Sequence, residues 1–499
     1  MAGAGLVLVG VALLWLLSRA YQRLRNPLRR FPSSPGAALS SAWVAWQTYM
    51  ERRSQAIWDQ HSKHGSVVRI GPDHVSFSDP RAIQDIYGHG RNFQKSSFYN
   101  CMANDPHRSI VNVRDRDEHA RKRKMLSAAF AQKNILVMED TIATAIRKLL
   151  ARFDRLTEES KPVDVRWWFN LFTLDVIGSV GFGKDFGLLD SGEDAAATQS
   201  LQGTPGQMPH LISGFHEASL RDVTMGNFPG LLKVFQTLTK YTKAAREGTN
   251  YNDLCINKVR ESTAIDIDQP MYFFDHFLFS RKGEKIDLPF EELQQEAAVL
   301  INAGSDTTQT AMTNLMYQLM SNPRVLDKLR KEVDDLYGSV EDPIRPYNDV
   351  VELKYLRACI DESLRLNPSI THSLGRETPD GGGYVAGEWI NAKTTVSISM
   401  LAIHHDANLF SNPEEFRPER WLEEPEAENC RKFSLPFSQG GRACIGRNLA
   451  YFEQQIVIAA LIHRYHMDFT TPEFRLTWRE RFIRNAESFP VKLRRRTCK

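Results

Sequence analysis

Apolar and polar positions follow different periods in different parts of the chain, and the changes between them predict its elements. Ala2 to Leu17 (AGAGLVLVGVALLWLL) carry no charge on any face. At about 1.5 Å rise per residue this run reaches roughly 24 Å, slightly short of a bilayer core of about 30 Å. Ser18, Ala20 and Tyr21 extend it toward an interface. From about residue 40 to 370 the pattern is mostly helical, with strand-like runs at 66–70 and 74–77. A long helix is predicted over 289–320, because Pro289 suits a first turn and Asn322-Pro323 stops it. Beyond Gly381 the character changes, with a Gly381-Gly382-Gly383 turn, a β-rich run at 394–398 and then loops up to Cys444. Cys444 is predicted to open the last long helix, through Leu449, Ala450, Phe452, Ile456 and Leu461. The expected fold is mainly α with small β-sheet regions, in a single body over 37–499.

Charge changes the reading of the first segment. Arg19, Arg23, Arg25, Arg29 and Arg30 follow the apolar run, and nothing basic precedes it. A secretory leader has the opposite order. The positive-inside rule therefore predicts an N-terminal transmembrane anchor over 1–21, with everything after Arg19 cytosolic. A buried N-terminal helix fits less well, since the run is apolar all round and abuts arginines. The Pro- and Ser-rich, basic stretch at 22–36 is predicted to be a stiff, non-helical linker.

Composition adds exclusions. The net charge of +3 over 499 residues gives no concentrated basic face, so nucleic-acid binding is not expected. Cys101, Cys255, Cys359, Cys430, Cys444 and Cys498 include no close pair that suggests a disulfide framework or a zinc site. Asn367, the one potential glycosylation acceptor, is followed by Pro. Both observations agree with a cytosolic body.

Candidate chemistry centres on Pro436 to Ala450 (PFSQGGRACIGRNLA), where one cysteine sits in a Gly-rich loop leading into an amphipathic helix. At a helix N-terminus, with Arg442 two residues earlier, the dipole, backbone donors and positive charge favour a thiolate at Cys444. Gly440, Gly441 and Gly446 let the backbone fold around the sulfur. A lone cysteine near a turn is usually an ordinary buried thiol, so the argument rests on the full spacing. In the long helix, Ala303-Gly304-Ser305-Asp306-Thr307-Thr308 combines small residues with an acid beside an alcohol. Small residues allow close approach to the backbone, and an acid–alcohol pair suits proton delivery. Two decoys are set aside. Gly181-Phe-Gly183-Lys-Asp-Phe-Gly187 has the wrong third glycine for a dinucleotide fingerprint. His404-His405-Asp406 would place its adjacent histidines on opposite faces of a strand.

Phe437, Gly440, Arg442, Cys444 and Gly446 stand as F-x-x-G-x-R-x-C-x-G, which resembles the haem-binding loop of the cytochrome P-450 family. Glu362-Ser-Leu-Arg365 matches the family's E-x-x-R motif, and Phe416 to Trp421 (FRPERW) its following loop. The resemblance covers roughly residues 35–495. It implies haem b with Cys444 as axial thiolate to the iron, and a structural cluster of Glu362, Arg365 and Arg420. It assigns Ala303, Gly304 and Phe437 to the haem surface, and Asp306 and Thr307 to proton delivery. His119, Arg123, Arg376 and Arg442 match positions that bind the two propionates, and Arg121, Lys122 and Lys124 lie on the face that docks a redox partner. With no flavin or nicotinamide site evident, electrons are expected from an NADPH-dependent flavoprotein reductase.

The implied activity is insertion of one oxygen atom from O2 into a small hydrophobic substrate. The anchor fits a single-pass enzyme of the endoplasmic reticulum membrane. HGSVVRIGPDHVSFSDP, IYGHG, RDRDEHARKRKMLS and INAGSDTT resemble the fungal microsomal group that contains benzoate para-hydroxylases, whose frames many secondary-metabolite oxidases share. A fungal secondary metabolite is the first expectation for substrate and an aromatic acid the second, with His372, Thr371 and Arg484 as candidate polar contacts. A haem–thiolate isomerase or dehydratase, or a non-catalytic haem sensor, fits the retained Asp306–Thr307 pair less well.

Overall fold

The computed structural model describes residues 10, 14, 15, 17, 18, 21, 26–33, 35–102, 106–264, 271–280, 282–338 and 344–496. Most of the expected anchor, 1–21, lies outside these. No helix among the described residues is long and apolar enough to cross a membrane.

Among the described residues, the helices that frame the site include α1 (Arg116–Leu126), α2 (Glu139–Glu158), α3 (Val165–Phe182), α4 (Leu211–Met225), α5 (Lys243–Thr263), α6 (Phe290–Ser321), α7 (Pro323–Tyr337), α8 (Lys354–Leu366) and α9 (Arg447–Arg464). The long helix α6 begins one residue after Pro289, which serves as its N-cap, and Glu291 and Glu292 place negative charge in its first turn. It ends where Asn322 and Pro323 interrupt the backbone ladder. Its neighbours hold it within one continuous core: α3 packs most extensively against it, with α5, α8 and α9 packed beside it as well. A Cβ added at Gly304 would meet the Ile177 side chain at 2.7 Å, so this glycine is what lets α6 and α3 approach.

Five strands, β1 (Val67–Gly71), β2 (His74–Phe77), β3 (Gln94–Lys95), β5 (Arg376–Glu377) and β6 (Thr395–Ile398), form a sheet in the order β1-β2-β6-β5-β3. Between β3 and β5 in sequence comes β4 (Val163–Asp164), which joins β7 (Tyr465–Phe469) and β10 (Pro490–Arg495) in a separate sheet ordered β7-β10-β4. β8 (Trp478–Glu480) and β9 (Arg484–Ala486) make a hairpin beside α6. β6 runs parallel to β2, and their Val75, Phe77, Val396 and Ile398 pack with Ile83 and Ile86 in a second core.

Two sequence expectations change here, and a decoy finds its structural role. The stretch expected to be a non-helical linker contains a 3-10 turn at Pro27–Arg30 and a helix at Pro35–Leu39. It packs rather than spaces, because Leu28 and Phe31 are buried in the sheet-side core and the Pro32 carbonyl accepts from the Arg69 amide. His404 closes a short helix, Met400–His404, not a strand. There its Nδ1 bonds the Arg365 carbonyl and its Nε2 accepts from the Leu435 amide. Gly183 is a left-handed helix cap at φ 79° ending α3.

Candidate functional site

The cysteine loop is built backwards from α9. Cys444 does not open that helix: Gly446 is its N-cap, Gly440–Arg442 forms a 3-10 turn, and Cys444 sits in the link between them. Its amide donates to the Phe437 carbonyl at 2.9 Å, closing the loop, and the Phe437 ring lies 5.1 Å from that of Tyr451. Gly440 has φ 73°, and a Cβ there would come within 1.9 Å of the Tyr87 carbonyl oxygen. That spacing tolerates only glycine.

Cys444 is exposed, yet its thiol is desolvated, so it lines an internal cleft and not the outer surface. Desolvation pushes the thiol up from its ordinary value. It outweighs the Gly446 and Arg447 backbone N–H groups and the charges of Arg123 and Arg447. The thiolate expected from loop and dipole alone is therefore not what the protein imposes; a metal at the sulfur would supply the missing stabilisation. Nor does Arg442 aim at the sulfur. Its Nη1 and Nη2 donate to the carbonyls of Val113 and Arg114 at 2.9 and 2.8 Å.

Beside the cleft, cations gather without counter-charge. Arg123 donates to the Ala443 carbonyl at 2.7 Å, tying α1 to the cysteine loop. Arg376 of β5 donates to the Leu374 and Gly375 carbonyls, each at 3.2 Å. Lys95 of β3 donates to the carbonyls of Ile110 and Val111. None of Lys95, Arg123, Arg376 and Arg442 has a carboxylate within 4.0 Å among the described residues. Burial lowers Lys95 well below its ordinary value, and Arg442, Arg376 and Arg123 lower it further, against a smaller raising effect of the Glu296 carboxylate. Burial likewise brings Arg442 down to about 10, with Arg376 adding to the fall. His119, facing the same group, is pushed down to about 3 by burial, then by Lys95, Arg442, Arg123 and Arg376. Buried like charges are costly. The arrangement fits a guest that carries acidic groups and a metal accepting a thiol ligand. Lys95 belongs to this cluster but occupies a two-residue strand with no motif around it, so sequence reading missed it.

On α6, Ala303 is exposed between half-buried Asn302 and Gly304, with Ile301 and Ser305 buried, and Thr307 lies one turn further along the same face. The Thr307 hydroxyl donates to the Ala303 carbonyl at 2.8 Å. A Cβ at Gly304 would point toward Ile177, so the glycine also serves the packing of α6 on α3. Asp306 does not meet Thr307. Its carboxylate is buried, with Oδ2 2.7 Å from His216 Nε2. The Asn170 amide, oriented so that both its ends are satisfied, donates to Oδ1 at 3.3 Å. Burial raises the Asp306 carboxyl, but His216, Arg166 and Asn485 outweigh it and hold the group below its ordinary value. His216 and Asn485, on α4 and β9, carried no signal in the sequence.

Behind the loop, Glu362 accepts from Arg365 Nε and Nη2 at 2.9 and 2.8 Å, and from Arg420 Nε at 2.9 Å. All three side chains are fully buried. The basic face expected beside α1 is largely neutralised. Lys122 is buried between Glu292 and Glu296, Arg121 pairs with Glu118 and Glu292, and Lys124 remains exposed. Of the polar groups expected near substrate, Arg484 is held by Asn367 and stacks on Trp478. Thr371 Oγ1 and both His372 nitrogens are buried without a hydrogen-bond partner among the described residues.

Comparison with known proteins places this geometry. The family model described as Cytochrome P450 matches residues 34–493. The chain is 31% identical over 479 residues to "Cytochrome P450 monooxygenase ORF11" of Penicillium roqueforti, covering 93% of this chain and 95% of that one. It is 30% identical over 511 residues to "Benzoate 4-monooxygenase bphA" of Aspergillus niger, with 98% and 97% covered. It is 32% identical over 479 residues to "Trichothecene C-15 hydroxylase" of Fusarium sporotrichioides, with 92% and 91% covered. A crystal structure of a cytochrome P450, CYP102L1, superposes with a TM-score of 0.73 at 21% identity, over 93% of this chain and 99% of that one.

Proposed function

The chain belongs to the cytochrome P450 family, and on that premise we propose that this monooxygenase inserts one oxygen atom into a small hydrophobic secondary metabolite. Its electrons come from NADPH through a separate flavoprotein reductase. The family's cofactor is haem with a cysteine thiolate as axial ligand. The observation that carries the site assignment is the group of four cations beside the Cys444 cleft, Lys95 and Arg376 buried and Arg123 and Arg442 half-buried, none with a carboxylate within 4.0 Å among the described residues. Cys444 would ligate the iron, and His119, Arg123, Arg376 and Arg442, with Lys95, would take the propionates. Ala303 and Phe437 would face the macrocycle.

Haem held there supplies the activation of dioxygen. The protein's part is placement and protons. Ala303 leaves space against the α6 backbone, and the Thr307 hydroxyl offers a hydrogen-bond site one turn away on the same face. Asp306 supplies the acid behind that face, and water must link its carboxyl to the Thr307 side, since the two side chains do not touch. Glu362, Arg365 and Arg420 lock the segment that carries the cysteine loop and take no part in the chemistry.

An aromatic acid is the second reading, favoured by the similarity to the benzoate 4-monooxygenase over nearly the full length of both chains. The unpartnered His372 and Thr371 would then meet the carboxyl group, because Arg484 is already engaged. Membrane anchoring through residues 1–21 and an endoplasmic reticulum location complete the proposal, and its reductase docks near Lys124.

Purified holoprotein with reductase and NADPH should consume oxygen and form hydroxylated product in a substrate screen spanning apolar metabolites and benzoates. Thr307→Ala should keep the haem but divert oxygen to peroxide. Rearrangement of a hydroperoxide without reductase, with no oxygen uptake in any screen, would replace this reading by an isomerase.

A further inference from the structure

We infer that His216 positions the Asp306 carboxylate and returns protons to it, so that the proton supply of α6 runs through α4. The inference rests on the reading of Asp306 as the acid of the proposed oxygenation. Asp306 is 4% exposed in the middle of α6, and a buried charge needs donors. His216, itself 6% exposed, supplies the shortest of them, at 2.7 Å. An ionised carboxylate only accepts, so the proton of that contact belongs to Nε2. Asn485 Nδ2 lies 3.3 Å from the same nitrogen; two donors cannot satisfy each other, so the Asn485 amide serves the carboxylate as well. Asp306 thus looks toward α4, α3 and β9, while the Thr307 hydroxyl is spent on the Ala303 carbonyl. Any proton that Asp306 releases toward the Thr307 face must be replaced from the His216 side.

A route for replacement adjoins the pair. A cavity of about 20 Å³ is lined by Asn170, His216, Tyr251, Asn302, Ser305 and Asp306, among others. That is enough for one water molecule. Asn302 Oδ1 is buried there without a partner among the described residues, and gives such a water an acceptor. The transfer balances as a relay. A proton from solvent, passed on by that water (which takes up one proton as it gives one), adds to the other ring nitrogen of His216. As it does so the Nε2–H bond breaks and the Oδ2–H bond of Asp306 forms, so the imidazole and the water both end neutral. The charged and titratable neighbours are Asp194 ahead of α4, Arg166 on α3, Tyr251 on α5 and Arg481 in the β8–β9 turn.

The test compares His216→Gln, His216→Phe and Asp306→Asn in reductase-supported holoenzyme. Glutamine still donates a hydrogen bond to Asp306 but does not pass a proton. His216→Gln should keep the carbon monoxide spectrum and thermal stability, yet slow product formation by at least about tenfold. It should also raise the solvent deuterium isotope effect and flatten the pH dependence of coupling. His216→Phe should show the same kinetic loss with lower stability. Wild-type rate and coupling in His216→Gln would overturn proton return through His216. Full coupling in Asp306→Asn would overturn the role of the α6 acid itself, and the inference with it.

Discussion

Replacing Glu362 with glutamine removes one charge from a cluster that has no contact with water. Arg365 and Arg420 are fully buried and share the two carboxylate oxygens, and the Trp421 indole nitrogen donates to the same group at 2.9 Å. Glutamine keeps the volume and one acceptor, but points its amide nitrogen at groups that are themselves donors. Arg420 retains Glu426 as a counter-charge. Arg365 retains only carbonyl oxygens, those of His404 and Pro413 at 2.5 and 2.8 Å. Removing one partner from a buried ion pair costs about 3–5 kcal/mol, because the other charge stays behind unpaired. Urea unfolding of the purified holoprotein, followed by tryptophan fluorescence, should show that loss for Glu362→Gln. Asp335→Asn, which breaks the exposed Lys331–Asp335 pair on α7, should leave the unfolding curve in place. A loss below about 1 kcal/mol for Glu362→Gln would mean that the carboxylate's own desolvation cancels its attraction for the guanidinium groups. The locking role assigned to the cluster would then be wrong.

Gly440→Ala should destabilise the cysteine loop by more than the roughly 1–2 kcal/mol of a left-handed conformation alone, because its Cβ would also collide with the Tyr87 carbonyl. The fraction of protein that binds haem, read from Soret absorbance, checks this, and full loading would refute it. His404 is held down to about 3 from an ordinary 6.5 by burial and by the charges of Arg365 and His405. Its neutral form is therefore the stabilising one; that stability is complete above about 6.5 and drains away as pH falls toward 3, at about 1.4 kcal/mol per unit. The stability gap between wild type and His404→Gln should narrow on acidification from about pH 7 to 4, and a constant gap would remove His404 from the acid response. Lys95→Met should make the haem-free protein more stable while haem passes faster to an acceptor globin. Unchanged transfer would show that Lys95 serves only the Ile110 and Val111 carbonyls.

The parts of this site legible in the sequence are those whose residues are neighbours in the chain. The loop from Phe437 to Gly446 and the Ala303–Thr308 run could be recognised because spacing within a turn or a helix fixes their relation. His119 and Arg123 share a helix face for the same reason. What the sequence hid depends on distant elements meeting. Lys95 joins Arg442 only because β3 pairs with β5 in the sheet, and His216 reaches Asp306 only because α4 crosses α6. Gly304 reads as space for a ligand, and a Cβ there would also meet Ile177 of another helix. Lys122 reads in the sequence as part of the partner-docking face, and it is buried between two glutamates of α6. In the 22–36 stretch, Pro and Ser content argued for an open spacer, while Leu28 and Phe31 decided the outcome by finding a core.

The cations beside Cys444 also bear on how the protein is made. Lys95, Arg123, Arg376 and Arg442 repel one another and hold carbonyl oxygens and two tyrosine rings but no carboxylate within 4.0 Å among the described residues, so the region they join is under electrostatic strain. It connects α1, two strands of the sheet and the cysteine loop, which are far apart in sequence. Arrival of a dianionic guest turns that repulsion into cohesion and fastens the three together. A bound cofactor would therefore stabilise the folded protein by mass action, and the haem-loaded protein should resist proteolysis longer than the haem-free protein.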